Sequence, residues 1–141
     1  MPFTTEAQLV LSIEKLAGNF ARKLEGALTP HGISFTEFVV LSALYSAPGR
    51  SMRRVDLAQS VGLTASGVTR MLRPMQKIGL VERDTNPRDA RVSLVSLTRS
   101  GQRIFEEAGI SVNMKAESLL GPLTQRQQSE YDRLTGLLAG A

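Results

Sequence analysis

The chain has 141 residues, no Cys, a single His and a formal net charge of +4. That length suits one domain around a single core, and a 42% hydrophobic share is ordinary for a globular chain rather than a disordered one. The composition argues against a disulfide framework, a thiol switch or a Cys/His transition-metal site, and no apolar run approaches the about 18 residues of a membrane span.

The opening Met1 to Glu6 lacks the basic stretch and apolar block of a secretion signal, so a cytoplasmic protein is expected. The first helix is read over 5–28. Leu9, Ile13, Leu16, Phe20, Leu24 and Leu28 fall at helical spacing there. Thr5 and Gln8 suggest a capping box at its start, and Pro30-His31-Gly32 ends it. A second helix starts at Ser34, with Glu37 three residues on, carries Phe35, Phe38, Leu41, Leu44 and Tyr45, and stops at Pro48-Gly49. A short third helix runs from about Val55 to Val61. Gly62 follows it as a residue able to take positive φ. Thr64 caps a fourth helix reaching Ile78, with Val68, Met71, Leu72 and Met75 as its apolar stripe and Gly79 as its stop. Short helix, tight glycine turn, second helix is the helix-turn-helix layout.

Leu80 to Arg83 and Val92 to Leu97 read as the strands of a β-hairpin, with a polar tip from Asp84 to Ala90. Thr98 caps a long fifth helix that Gly121-Pro122 breaks. Thr124 and Gln127 form a capping box for a last helix carrying Tyr131, Leu134 and Leu138. The fold expected is mainly α with a small β-hairpin wing. One domain would fill 1–141, with the helix-turn-helix and hairpin in a central lobe at 34–97 and flanking helices at 5–28 and 98–141.

Charge is unevenly placed. From Arg50 to Arg91 there are nine Lys or Arg against four Asp or Glu, a net of +5; elsewhere there are eight against nine, a net of −1. A concentrated basic patch is the footprint of a polyanion partner, although a solvated basic face without a partner remains the alternative. On the fourth helix the face opposite the stripe carries Ser66, Thr69, Arg70, Arg73 and Lys77, with Gly67 adding no bulk beside Ser66. A helix that reads a major groove needs hydrogen-bonding and cationic groups on its exposed N-terminal half, and a phosphate is favoured at the helix N-terminus, near Thr64. The alternative is an ordinary amphipathic helix with a solvated face. At the hairpin tip, Arg88 and Arg91, with Arg83 at the base, suit a narrow minor groove. Asp89 suits a partner that steadies Arg91 better than a phosphate contact, unless the pair is only a surface ion pair.

Leu63-Thr64-Ala65-Ser66-Gly67-Val68-Thr69-Arg70-Met71-Leu72, then Gly79-Leu80-Val81-Glu82-Arg83, Asp89-Ala90-Arg91 and Leu97-Thr98-Arg99-Ser100-Gly101, resemble in order and spacing the signature of MarR-type regulators, the multiple antibiotic resistance regulator family. The resemblance extends over essentially the whole chain. It implies a winged helix-turn-helix dimer, usually a repressor, whose terminal helices intertwine with those of a second copy. It places Ser66, Thr69, Arg70 and Arg73 against double-stranded DNA, Arg91 in the minor groove and Asp89 as its support, with Arg53 and Arg54 near phosphates. It also implies release of DNA on binding a small aromatic or phenolic effector, and helix geometry puts Phe20, His31 and Phe38 near such a pocket unless they are simply core. Pro74 departs from the pattern and is expected to kink the fourth helix near Arg70 or end it early, which puts the reach of Arg73 and Lys77 in doubt.

Dimerisation has support of its own. Leu9, Ile13 and Leu16 at one end, and Leu119, Leu120, Leu123, Leu134 and Leu138 at the other, supply more apolar surface than a compact central module needs. These helices pair either with a second copy or with each other. No catalytic residue, metal site or cofactor is expected: phosphate-binding loops and nucleophile elbows are missing, and Glu106 and Glu107 are adjacent on a helix and diverge. A winged-helix module used for protein contacts is the rival reading, which loss of the basic tip would favour.

Overall fold

The structure is a computed structural model that describes residues 2–140 except Pro87, without the side chains of Thr85, Asn86 and residues 89–92. Helix α1 spans Thr5–Leu28, α2 Phe35–Ser46, α3 Arg54–Val61, α4 Ala65–Lys77, α5 Arg99–Leu120 and α6 Gln125–Ala139. Strands β1 (Ser51–Arg53), β2 (Val81–Asn86) and β3 (Asp89–Leu97) form one antiparallel sheet in the order β1-β3-β2.

Local capping sets most of these boundaries. Ser34 and Glu37 form the expected capping box on α2, and Thr124 and Gln127 do the same on α6. Thr64 accepts from the Gly67 N–H and Thr98 from the Gly101 N–H, each satisfying a helix donor that would otherwise be orphaned. Gly62 takes φ 72° after α3 and Gly79 φ 82° after α4, the left-handed geometry that both turns demand. At α1 the cap falls one residue earlier than expected. Thr4, not Thr5, accepts from the Ala7 N–H at 3.1 Å, so the proposed Thr5–Gln8 box does not form.

Two further expectations are corrected. The hairpin strands are longer than their apolar parts. Asp84 pairs with Leu94, Thr85 with Ser93 and Asn86 with Asp89, so most of the supposed loop is ladder, with an irregularity at Thr85/Asn86. Backbone pairing in a solvent-facing ribbon does not need apolar side chains, so the ladder runs past the ends that the apolar residues and the turn-favouring Asp and Asn residues suggest. In addition, α4 continues through Pro74 to Lys77 rather than ending early. Pro74 lies in the last turn and is exposed, while Leu72 and Met75 on either side are buried at 2% and 0%. The Pro74 carbonyl still accepts from the Ile78 N–H at 3.1 Å, and tertiary packing holds the turn that proline weakens.

The core is continuous through the lobe. Leu41 and Leu44 of α2, Leu57 of α3, Val68 and Met75 of α4 and Val81 and Val95 of the sheet are each at most 1% exposed. Stacked rings fasten α2 to α5. Phe105 lies 5.0 Å from Phe38 and 4.7 Å from Tyr45 between ring centroids, contacts worth about 0.5–1.5 kcal/mol each beyond their burial. The junction of α4, β2 and α5 is tighter still. The Thr98 hydroxyl lies 2.6 Å from the Gly79 carbonyl and 3.0 Å from that of Leu80, and the Thr98 N–H donates to the Leu80 carbonyl. Gly101 sits against it. A Cβ there would fall 2.1 Å from the Leu80 carbonyl oxygen, so only glycine lets the two backbones meet.

Burial fades toward both ends of the chain. Leu28 is fully buried and Phe20 and Leu24 are half-buried, but Leu9, Ile13 and Leu16 remain 59%, 52% and 44% exposed. No described residue of α6 is buried, and Leu134 and Leu138 stand 47% and 66% exposed; Leu119, Leu120 and Leu123 are intermediate. No single helix among the described residues is long and apolar enough to cross a membrane.

Candidate nucleic-acid interface

The buried stripe of α4 fixes which side it presents. With Val68, Leu72 and Met75 inward, Ser66, Arg70, Arg73 and Lys77 are left exposed. All four are residues the sequence assigned to the DNA-facing side. Thr64, assigned there too, spends its hydroxyl on capping: Oγ1 accepts from Gly67 N at 3.0 Å and lies 3.4 Å from Ser66 Oγ. Gly67 acquires a local reason as well. A Cβ at that position would come within 3.1 Å of Thr64 Oγ1 and crowd the cap.

Thr69 behaves differently from its neighbours. It is half-buried; its hydroxyl donates to the Ala65 carbonyl at 3.0 Å and accepts from Arg54 Nη1 at 2.6 Å. With its one proton committed, Thr69 has no donor left for a base edge or a phosphate. Its role in this state is to tie α4 to the start of α3. That tie was invisible in sequence, because the two residues lie 15 positions apart on different helices.

Arg53 is exposed at the N-terminus of α3 and grips Asp56 in a two-pronged ion pair, 2.8 and 3.1 Å. The hydrogen bond from Arg53 holds the Asp56 carboxyl below its ordinary range, and the same bond raises Arg53. Arg88 is exposed at the hairpin turn. The side chains of Asp89 and Arg91 lie outside the described residues; their backbone belongs to β3. Arg50, which was not among the candidates, stacks its guanidinium 3.8 Å above the Tyr45 ring and hydrogen-bonds the Tyr45 carbonyl, and so braces the turn before β1.

The effector candidates are partly committed to packing. His31 Nε2 lies 2.8 Å from Ser111 Oγ, Phe38 is stacked on Phe105, and Phe20 is half-buried on α1. Between α1 and α5 lies an open hollow of about 460 Å³, lined by residues that include Lys23, Ala27, Pro30, Ser111, Met114 and Lys115. None of the three candidates lines it, although Ser111, the partner of His31, does. No group of three or more His, Cys, Asp or Glu side chains among the described residues is arranged to hold a metal ion.

Known proteins align with this geometry. A family model described as MarR family matches residues 33–93. The HTH-type transcriptional repressor Rv2887 of Mycobacterium tuberculosis is 27% identical over 134 residues, 95% of each chain. A mutant of MarR from E. coli, solved in complex with operator DNA, superposes with a TM-score of 0.85 at 28% identity over 93% of both chains. The MarR family regulator Sco3205 of Streptomyces coelicolor, solved in complex with DNA, shares the fold with a TM-score of 0.87 at 24% identity, over 99% of this chain and 89% of that one. Matching helix-turn-helix, matching wing and relatives named as transcriptional regulators lead to one conclusion: residues 33–93 form a MarR-family domain, in a chain that is similar to MarR-type winged helix-turn-helix regulators over its whole length.

Proposed function

We propose that the chain is a ligand-responsive repressor that binds a pseudo-palindromic duplex sequence-specifically, as a homodimer. The observation that carries this reading is the α4 surface: a helix pinned by its buried stripe, with Ser66, Arg70 and Arg73 exposed along its outer side. Arg70 suits bidentate contact with guanine, and Ser66 a phosphate or base edge. Asp89 and Arg91 complete the reading on the wing, Arg91 entering the minor groove. Relatives named as a repressor and as bound to operator DNA favour repression.

A second copy is the partner that the terminal helices call for. Leu9, Ile13, Leu16, Leu134 and Leu138 present apolar surface that water penalises at about 25 cal/mol per Å². In this organisation 34–97 is the DNA-binding lobe, and 5–28 with 98–141 the dimerisation helices. Twofold symmetry then sets the recognition helices about 34 Å apart, one turn of duplex. The effector is a small aromatic or phenolic acid bound near Phe20, His31 and Phe38, where α1 and α2 approach α5.

The test is binding to fragments selected from the source genome, followed over a range of salt, beside sedimentation of the free protein. Arg91→Ala is expected to weaken binding and flatten its salt slope by about one. An unchanged slope removes the wing from the proposal, and a monomer at micromolar concentration removes the dimer. Aromatic carboxylates and phenols that raise the melting temperature and release DNA support the effector reading.

A further inference from the structure

Arg54 at the start of α3, Arg73 on α4 and Arg83 on β2 line one narrow cleft together with Thr69, Leu72 and Gln76. No carboxylate is among these six lining residues. Arg54 is half-buried, with Nη1 bonded to Thr69 and an Nε that is buried without a hydrogen-bond partner among the described residues. Arg73 and Arg83 are exposed, and Arg83 Nη2 reaches Ser93 Oγ only at 3.4 Å. Like charges gathered with no carboxylate among the described lining residues repel one another, and an anion at the mouth relieves that repulsion. The cleft is too narrow for a water-sized body to enter it. An anion that meets these three cations therefore does so at the mouth of the cleft.

The placement of the cleft identifies that anion. It opens between α4 and β2, the base of the wing. With α4 in a major groove and the hairpin in the neighbouring minor groove, one sugar-phosphate strand separates the two grooves, and it crosses the surface between those elements. We infer that Arg54, Arg73 and Arg83 form a clamp for a single backbone phosphate of that strand. Arg73 and Arg83 grip it from the two sides, and Arg54, steadied by Thr69, supplies the charge at the floor. This deepens the DNA-binding reading and rests on it. It assigns Arg83 a contact and gives the Arg54–Thr69 bond a purpose: Thr69 positions a cation rather than reading a base.

The test uses the full chain and a fluorescein-labelled mixed-sequence duplex of about 30 base pairs, long enough for the non-specific, phosphate-driven mode. Arg83→Gln is expected to weaken binding at fixed salt and to reduce the slope of log K against log salt by less than one, because Arg73 and Arg54 still face the phosphate, and Arg83→Lys to leave both unchanged. Arg73→Gln combined with Arg83→Gln is expected to lose about one in all, not two, because both face the same phosphate. Both side chains are exposed, so melting temperatures report that the lobe is intact. If wild type binds with steep salt dependence and the glutamine variants keep its slope, the clamp is overturned while DNA binding stands. A loss of two in the double variant overturns the shared phosphate. Inorganic phosphate that stabilises wild type but not the double variant, with slopes unaltered, overturns the strand as occupant. Absence of any salt-dependent duplex binding by wild type removes both readings.

Discussion

Helices α4 and α6 are both amphipathic, but the chain treats them in opposite ways. In α4 the apolar stripe is fully used: Val68, Leu72 and Met75 are buried against α2, α3 and the sheet. In α6 the stripe is unspent, with Leu134, Leu137 and Leu138 each nearly half exposed or more. The same pattern of residues thus means different things at the two places. Where the stripe is buried, the polar side is the one with external work to do. Where it is open, the stripe itself is the surface that the proposed dimer would cover. If the proposed dimer forms, energies follow the same split: the lobe is stabilised within one chain, and α6 gains its apolar burial through association.

Truncation tests this division most forcefully. Leu44→Ala, at a fully buried site, is expected to cost about 2–5 kcal/mol in urea unfolding, independent of protein concentration. Leu138→Ala is expected to act only through association, so that its effect on melting temperature shrinks as protein concentration rises. A concentration-independent loss of similar size at Leu138 would erase the distinction. Next in size comes Gly101→Ala, which forces a Cβ against the Leu80 carbonyl at 2.1 Å. About 3 kcal/mol of destabilisation is expected there, against near-neutrality for Gly109→Ala on the same helix, where an added Cβ meets nothing within 4 Å. Thr98→Ala removes the α5 cap and is expected to cost about 1 kcal/mol by the same measurement.

The smallest effect is one of pH. The folded Asp56 carboxyl titrates below its ordinary 3.8 because Arg53 hydrogen-bonds its charged form. Stability from that pair is therefore present above the unfolded value and lost as pH falls through the folded one. The gap between wild type and Asp56→Asn should be open at neutral pH and close in acid, and a gap that persists at pH 2 would rule out the carboxylate as its source.

What could be read in the sequence was largely what is local. The caps at Ser34, Thr64, Thr98 and Thr124 act across three residues, so their spacing alone announces them. Strand β1 could not be found in this way: its three residues have no alternation to detect, and it exists because β3 offers Val95 and Ser96 as partners. Pro74 does not end α4 early, because the buried Met75 next to it holds the last turn, a contact outside the reach of local propensity. On the outer side of α4, the shared exposed face of Ser66, Arg70 and Arg73 was legible from their spacing alone. The diversion of Thr69 to Arg54, and of Arg53 to Asp56, depends on which helix end meets which, and so belongs to the assembled lobe.

The glycine contact at the foot of α5 also has a mechanical side. Because Gly101 lets the helix sit flush on the Leu80 carbonyl, and Thr98 bolts the same spot to Gly79, the joint has almost no play. A helix of 22 residues, about 33 Å long, becomes a lever with its fulcrum at the end of α4. At that fulcrum the Thr98 hydroxyl and N–H meet the Gly79 and Leu80 carbonyls, so the helix is joined directly to the end of α4 rather than through a free linker.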